Sequence, residues 1–299
     1  MRTRPHNFDA LCIAFQYMAT RTWHRIHNNH TTPIAIREDG ITALNLQDLY
    51  QLRSREFTVF DFSPHVESWN TGADWEWWFM QPGKNFGAAV QAKTLSPAQD
   101  YAIAYRSGRS RYPQICRLRD YSKAKGLTPM YCFYNWWPVP PIKHWPCDSI
   151  IKQEDLWGCA LADGHNVWRL HQQQRYSLKD LHPYTMPWHC IVCCPAHGLG
   201  SPVGPGTRAV GIAKFLRQQR PNGELPESSH DQDDYHEWPE PQLVKKLPER
   251  IKELLRFKQS HKRIESEMIF KFFGKTPPRW VILQGTPEKE QRRTEPKGR

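Results

Sequence analysis

Apolar positions near the start of the chain recur at helical spacing: Phe8, Leu11, Cys12, Phe15, Met18, Ala19 and Trp23 predict a helix over 8–26. A polar loop, 27–32, follows and ends at Pro33. Ile41, Leu44, Leu49 and Leu52 predict a second helix, and Phe57-Thr-Val-Phe-Asp-Phe62, rich in aromatic and β-branched residues, a strand. Two more strands are expected at 73–80 and 87–95, joined across Gln81-Pro82-Gly83-Lys84. Residues 112–125 read as a helix ended by Gly126, and 130–136 as a buried strand. A Pro-rich break over 137–146 is followed by two short strands at 157–162 and 188–194. Residues 220–241 are polar, acidic and Pro-rich, which marks a linker or mobile loop. Leu247 to Phe273 reads as one long basic helix, and the charged segment after Thr286 as disordered.

This order predicts an α/β fold with a mixed central sheet flanked by helices. The expected division is an N-terminal helix in 1–35, the main domain in 36–219, a linker in 220–245 and a basic helical extension with its tail in 246–299. Length changes little in this picture, since 299 residues can bury a sizeable core, here one rich in Trp, Phe and Tyr. Charge changes more. A net charge of +11 favours a polyanionic partner, because Lys and Arg that neutralise phosphates release counterions. No apolar run approaches the roughly 20 residues of a membrane span, and the N-terminal segment is amphipathic rather than signal-like, so no membrane association and a cytoplasmic location are expected. The eight Cys are then expected as reduced core residues.

The chemistry concentrates in Gly72-Ala-Asp74-Trp-Glu76-Trp-Trp78 and Val90-Gln91-Ala92-Lys93. The midpoint of Asp74 and Gln91 falls between Pro82 and Gly83, the central pair of a tight turn, so a hairpin of that register sets Asp74 directly across from Gln91. Side chains alternate along a strand, so Lys93 shares the face of Gln91 and Asp74. Mg²⁺, or Mn²⁺ in its place, takes oxygen ligands, which Asp74, Gln91 and the Ala92 carbonyl can supply. Lys93 can orient the attacking water and stabilise developing charge.

These segments resemble the PD-(D/E)xK restriction-endonuclease-like superfamily in its Mrr-type branch, where Gln takes the place of the usual acid before x-Lys. The set GADWEWWF, VQAK and PMYCFYN is also similar to an uncharacterised bacterial family assigned to that superfamily. The resemblance implies an αβββαβ core and a Mg²⁺-dependent endonuclease acting on double-stranded DNA, in bacterial defence. Two-strand cleavage needs two centres, which is compatible with a homodimer. Asp74, Gln91 and Lys93 carry over as the catalytic set. With Gln91 neutral the site needs a further acid, for which Glu67, Glu38 and Glu76 are candidates and Glu67 is preferred. The alternative function is a nucleic-acid-binding protein that keeps the fold and has lost turnover.

Weaker signals surround this core. Arg106, Arg109 and Arg111 are candidate phosphate contacts, and Trp78, on the Asp74 face, is a candidate for stacking on bases; Trp75 and Trp77 point the other way, toward core. The run Cys190, Cys193, Cys194 offers zinc ligands, but without a second Cys-x-x-Cys pair a buried strand is the stronger reading.

Overall fold

In a computed structural model the chain is described over residues 8–53, 56–62, 71–104, 112–138, 145, 152–194, 204–221, 238–260, 266–273 and 277–285. In chain order the elements are α1 (Phe8–Thr31), α2 (Glu38–Arg53), β1 (Phe57–Asp61), β2 (Trp75–Phe79), β3 (Phe86–Thr94), α3 (Gln114–Lys125), β4 (Thr128–Tyr134), β5 (Cys159–Asp163), α4 (Gly164–Gln172), α5 (Leu178–Leu181), β6 (Thr185–Pro187), α6 (Cys190–Cys193), α7 (Pro205–Gln218), α8 (Glu249–Ser260), α9 (Ser266–Phe273) and β7 (Trp280–Gln284). The fold is α/β, and α2 to β4 follow the expected order of helix, three strands, helix and strand.

Among the described residues one mixed sheet runs in the order β1-β7-β2-β3-β4-β5-β6. β2 and β3 form the antiparallel hairpin, with Trp75 opposite Val90 and Phe79 opposite Phe86, which is the register expected from Pro82-Gly83. The turn closes with the Lys84 N–H donating to the Gln81 carbonyl at 3.0 Å, and Gly83 takes φ +68°, where a Cβ would be strained. β3 and β4 are parallel, so the chain must cross over, and α3 makes that crossover.

The sheet is covered on both faces, which is why its central strands read as nearly unbroken apolar runs. One face carries Trp75, Trp77, Phe79 and Val90, packed under α1, α2, α6 and α7; Phe15 of α1 stacks on Trp77 at 5.7 Å. The other face carries Trp78, Ala89, Tyr131 and Phe133, packed under α3, α4, α8 and α9.

Several expectations need correction. α1 continues to Thr31 because its last turn is polar but unbroken, and the Thr31 and Thr32 hydroxyls bond back to the His27 and Asn28 carbonyls. The segment 188–194 is a turn followed by α6, since Ile191 and Val192 pack into the helical layer instead of pairing with a strand. Cys193 there is joined to Cys12 of α1 by a disulfide, against the expectation of reduced thiols. Leu247–Phe273 holds two helices, α8 and α9. The largest revision is β7. It lies between β1 and β2, parallel to β2 and antiparallel to β1, so the C-terminal segment is part of the sheet rather than an extension. The linker expected at 220–245 and the tail fall largely outside the described residues.

Candidate active site

The site forms at the end of the sheet where β2 begins and β3 stops. Asp74 is fixed there through its backbone: its N–H donates to Val90 O at 2.8 Å, and its carbonyl accepts from the N–H groups of Arg279 and Trp280 at 3.1 and 3.2 Å. Its carboxylate Oδ2 accepts from the Ala92 N–H at 2.8 Å and from Gln91 Nε2 at 2.6 Å. The same Gln91 nitrogen donates to Ala92 O at 2.9 Å, while Gln91 Oε1 is buried without a partner. Asp74, Gln91 and the Ala92 carbonyl thus meet at one point, in a hairpin whose register sets Asp74 across from Gln91.

Lys93 reaches the same end of β3. Its Nζ donates to Gln114 Oε1 at 2.9 Å and lies 3.5 Å from Glu38 Oε1, and Glu38 Oε2 accepts from the Thr94 N–H at 3.0 Å. Only 6% of the Lys93 side chain is exposed against 31% of Glu38, so Glu38 is on the side facing solvent. Gln114, the first residue of α3, is brought in because that helix packs closely on Gly72. A Cβ there would meet Gln114 O and Leu118 N at 2.5 Å, and φ is +68°.

Burial raises both carboxyls. Glu38 is pushed up to about 7 by burial; the Lys93 ammonium opposes this and the charge of Asp74 adds to it. Asp74 is likewise raised by burial, with Lys93, the Ala92 N–H and Arg279 pulling the other way. Two acids and one lysine are therefore held together at a poorly solvated end of the sheet, where the lysine favours the charged form of both acids.

The arrangement suits a hard cation. The two ends of the Gln91 amide exchange by rotation of its last torsion. Turned over, Oε1 would join Asp74 Oδ2 and Ala92 O as an all-oxygen set of the kind Mg²⁺ takes, with the Glu38 carboxylate nearby. Among the described residues no three His, Cys, Asp or Glu side chains cluster as a metal group, so such a site would depend on the Gln91 amide and a backbone carbonyl.

The other expected residues fare differently. Glu67 and Arg106, Arg109 and Arg111 lie outside the described residues. Trp78 does not stack on bases: it is fully buried, its Nε1 donates to Glu76 Oε2 at 2.8 Å, and Arg250 lies over its ring. Glu76 shares the face of Asp74 but not its site. It is 0% exposed and closed off by Trp78, by the Tyr121 hydroxyl at 2.5 Å and by Arg250 at 3.2 Å. Among the described residues, Glu38 is the candidate acid that reaches Lys93. Cys190 and Cys194 are buried core residues.

The chain belongs to the family described as a family of unknown function (DUF6615), which it matches over residues 11–284. That span runs from α1 to the end of β7, so the N-terminal helix and the C-terminal strand lie within the family's unit together with the hairpin. No curated protein matches the chain. Among the described residues no helix is long and apolar enough to cross a membrane.

Sequence reasoning missed Gln114, and also Arg279 and the Asp39 that pairs with it at 3.3 Å beside Asp74. Nothing local marks Gln114, which matters only because α3 docks on Gly72. The run Trp280-Val-Ile-Leu283 did carry a strand signal, but the basic residues on either side drew it into the supposed extension.

Proposed function

We propose that this protein is a metal-dependent nuclease of the PD-(D/E)xK type that hydrolyses phosphodiester bonds, with double-stranded DNA as substrate and a role in bacterial defence. The observation that carries the reading is the convergence of the Asp74 carboxylate, the Gln91 amide and the Ala92 carbonyl beside the Lys93 ammonium and the Glu38 carboxylate. Asp74, Gln91 and Ala92, with Glu38 in reach, would hold Mg²⁺, which when bound supplies Lewis-acid polarisation of a phosphoryl oxygen and an acidified water. Glu38 is the additional acid in this proposal on the strength of its ion pair with Lys93; Glu67, preferred from the sequence, lies outside the described residues.

The protein's own groups then divide the work. Burial of Asp74 and Glu38 leaves both carboxylates poorly solvated, so each gains by meeting positive charge. The Lys93 ammonium, pinned between Gln114 and Glu38, is a fixed donor that can orient an attacking water and stabilise charge growing on the phosphate oxygens. Gln114 limits the swing of Lys93. Glu38, near neutral pH in its titration, can accept a proton at its carboxylate in the absence of metal.

The test is cleavage of supercoiled plasmid, linear duplex and RNA in Mg²⁺ or Mn²⁺. Asp74→Asn and Lys93→Met should each lower the rate by roughly 100-fold or more without loss of the folded state. A wild-type protein that binds DNA but never cuts would leave the alternative, a silent nucleic-acid-binding protein. Equal cleavage by wild type and Asp74→Asn would remove the assigned site altogether.

A further inference from the structure

The solvent side of the site is lined by the first turn of α2, where Asp39 follows Glu38. Asp39 is 42% exposed by side chain, and its Oδ2 lies 3.3 Å from Nη1 of Arg279. Arg279 leads into β7, the strand that threads between β1 and β2. Its backbone N–H and that of Trp280 both donate to the Asp74 carbonyl, so the position of Arg279 is set relative to Asp74 by two main-chain bonds. Its guanidinium lies 5.3 Å above the Trp280 ring. Its charge is close enough to help hold down the Asp74 carboxyl against burial.

We propose that Arg279 grips a backbone phosphate of the nucleic acid at the mouth of this site, exchanging its ion pair with Asp39 for that phosphate as the strand enters. This rests on the nuclease reading only for what happens to the strand afterwards; the grip itself is a binding event.

Four features select Arg279. It is anchored at the Cα by the residue at the centre of the site, so a phosphate it holds is placed relative to Asp74. A guanidinium presents five N–H donors in a planar fork suited to phosphate, and its cation–π contact with the Trp280 ring holds it without using any of them. Its one ion pair among the described residues is monodentate and partly exposed, the kind that is weak and easily exchanged. A bidentate contact to phosphate is stronger. The neighbouring cations fit less well. Lys93 is buried and already held by two partners. Arg37 is 88% exposed, and among the described residues its side chain is held only by a long 3.7 Å ion pair with Asp39.

Asp39 acts in this scheme as a competitor. Its carboxylate is tied to the Gly40 N–H at 3.0 Å, so it stays at the mouth and holds Arg279 until a phosphate displaces it. Removing its charge should therefore help binding. A purely structural ion pair predicts the reverse.

The experiment measures anisotropy of a fluorescent DNA duplex with full-length protein in EDTA, over a salt series, alongside thermal melting and plasmid cleavage in Mg²⁺. Arg279→Gln should weaken binding about tenfold and reduce the slope of log affinity against log salt by about 1. Arg279→Lys should restore the slope and only part of the affinity. Asp39→Asn should tighten binding. The proposal is overturned if Arg279→Gln binds with wild-type affinity and slope, even where the wild type cleaves plasmid. It is equally overturned if the wild type does not bind the duplex, or if Arg279→Gln and Asp39→Asn weaken binding together with the same fall in melting temperature. Arg279-dependent binding by a wild type that never cuts upholds the grip and removes the nuclease reading.

Discussion

The Glu76–Arg250 pair makes the assignment of acids on the Asp74 face open to measurement. Glu76 is 0% exposed and Arg250 10% by side chain, and they meet at 3.2 Å. Trp78 Nε1 and the Tyr121 hydroxyl supply two more hydrogen bonds to the carboxylate. The guanidinium lies between Trp78 and Phe273, 5.6 and 5.9 Å from their ring centres. Replacing Arg250 by Met keeps the apolar stem but leaves a buried carboxylate with no counter-charge, which costs about 3–5 kcal/mol. Glu76→Gln leaves a buried guanidinium in the same position, with a loss of similar size. Together the two substitutions remove both charges, so the double variant should be less destabilised than the two losses added, by roughly 1–3 kcal/mol. Urea unfolding followed by tryptophan fluorescence reads each value, provided the slope of unfolding with urea stays constant across the four proteins. Additive losses, or a cost below about 1 kcal/mol for Arg250→Met, would refute a closed buried pair. In that case Glu76 would return as a candidate ligand. With the pair as described, folded Glu76→Gln should still cleave under the proposed function, since its carboxylate is closed off by Trp78, Tyr121 and Arg250.

The remaining predictions concern packing and pH. A Cβ at Gly158 would meet Ala19 O at 2.0 Å and Trp23 N at 2.6 Å, so Gly158→Ala must displace the middle of α1 and should cost about 1–3 kcal/mol in urea unfolding. At Gly83 a Cβ meets nothing within 4 Å, so Gly83→Ala should cost only the left-handed backbone strain, about 1–2 kcal/mol, with the hairpin register and any cleavage retained. His165 packs against Trp168 and Trp238, with ring centres 5.9 and 5.7 Å away, and burial beside Arg217 and Arg169 lowers it from 6.5 to about 3. Unfolded chains take up this proton below 6.5 and the folded protein does not. The contribution is therefore present above 6.5 and lost as pH falls toward 3. His165→Phe should flatten the fall in stability across that window; an unchanged pH profile would show that His165 is not the group responsible.

Local signals determined a good deal of this protein. The Pro82-Gly83 turn dictated the hairpin register, and alternation along its strands then put Asp74, Gln91 and Lys93 on one face and Trp75 and Trp77 on the other. Helical spacing located α2, and Gly126, at φ +65°, marked the end of α3. Such features depend on residues a few positions apart, whose geometry the backbone imposes whatever surrounds them. Faces are another matter. A strand covered by helices on both sides buries polar groups as well as apolar ones, so Trp78 and Glu76, legible as site residues by alternation, became a sealed core pair once α3 and α8 closed over them. Sequence order likewise hid β7, because insertion between β1 and β2 is a pairing across more than two hundred residues that no local pattern encodes. That insertion delivers Arg279 to Asp74, while the packing of α3 on Gly72 delivers Gln114 to Lys93 and the docking of α2 brings up Glu38. The hairpin's own residues could be read from the chain; their partners in charge exist only because distant elements meet at one end of the sheet.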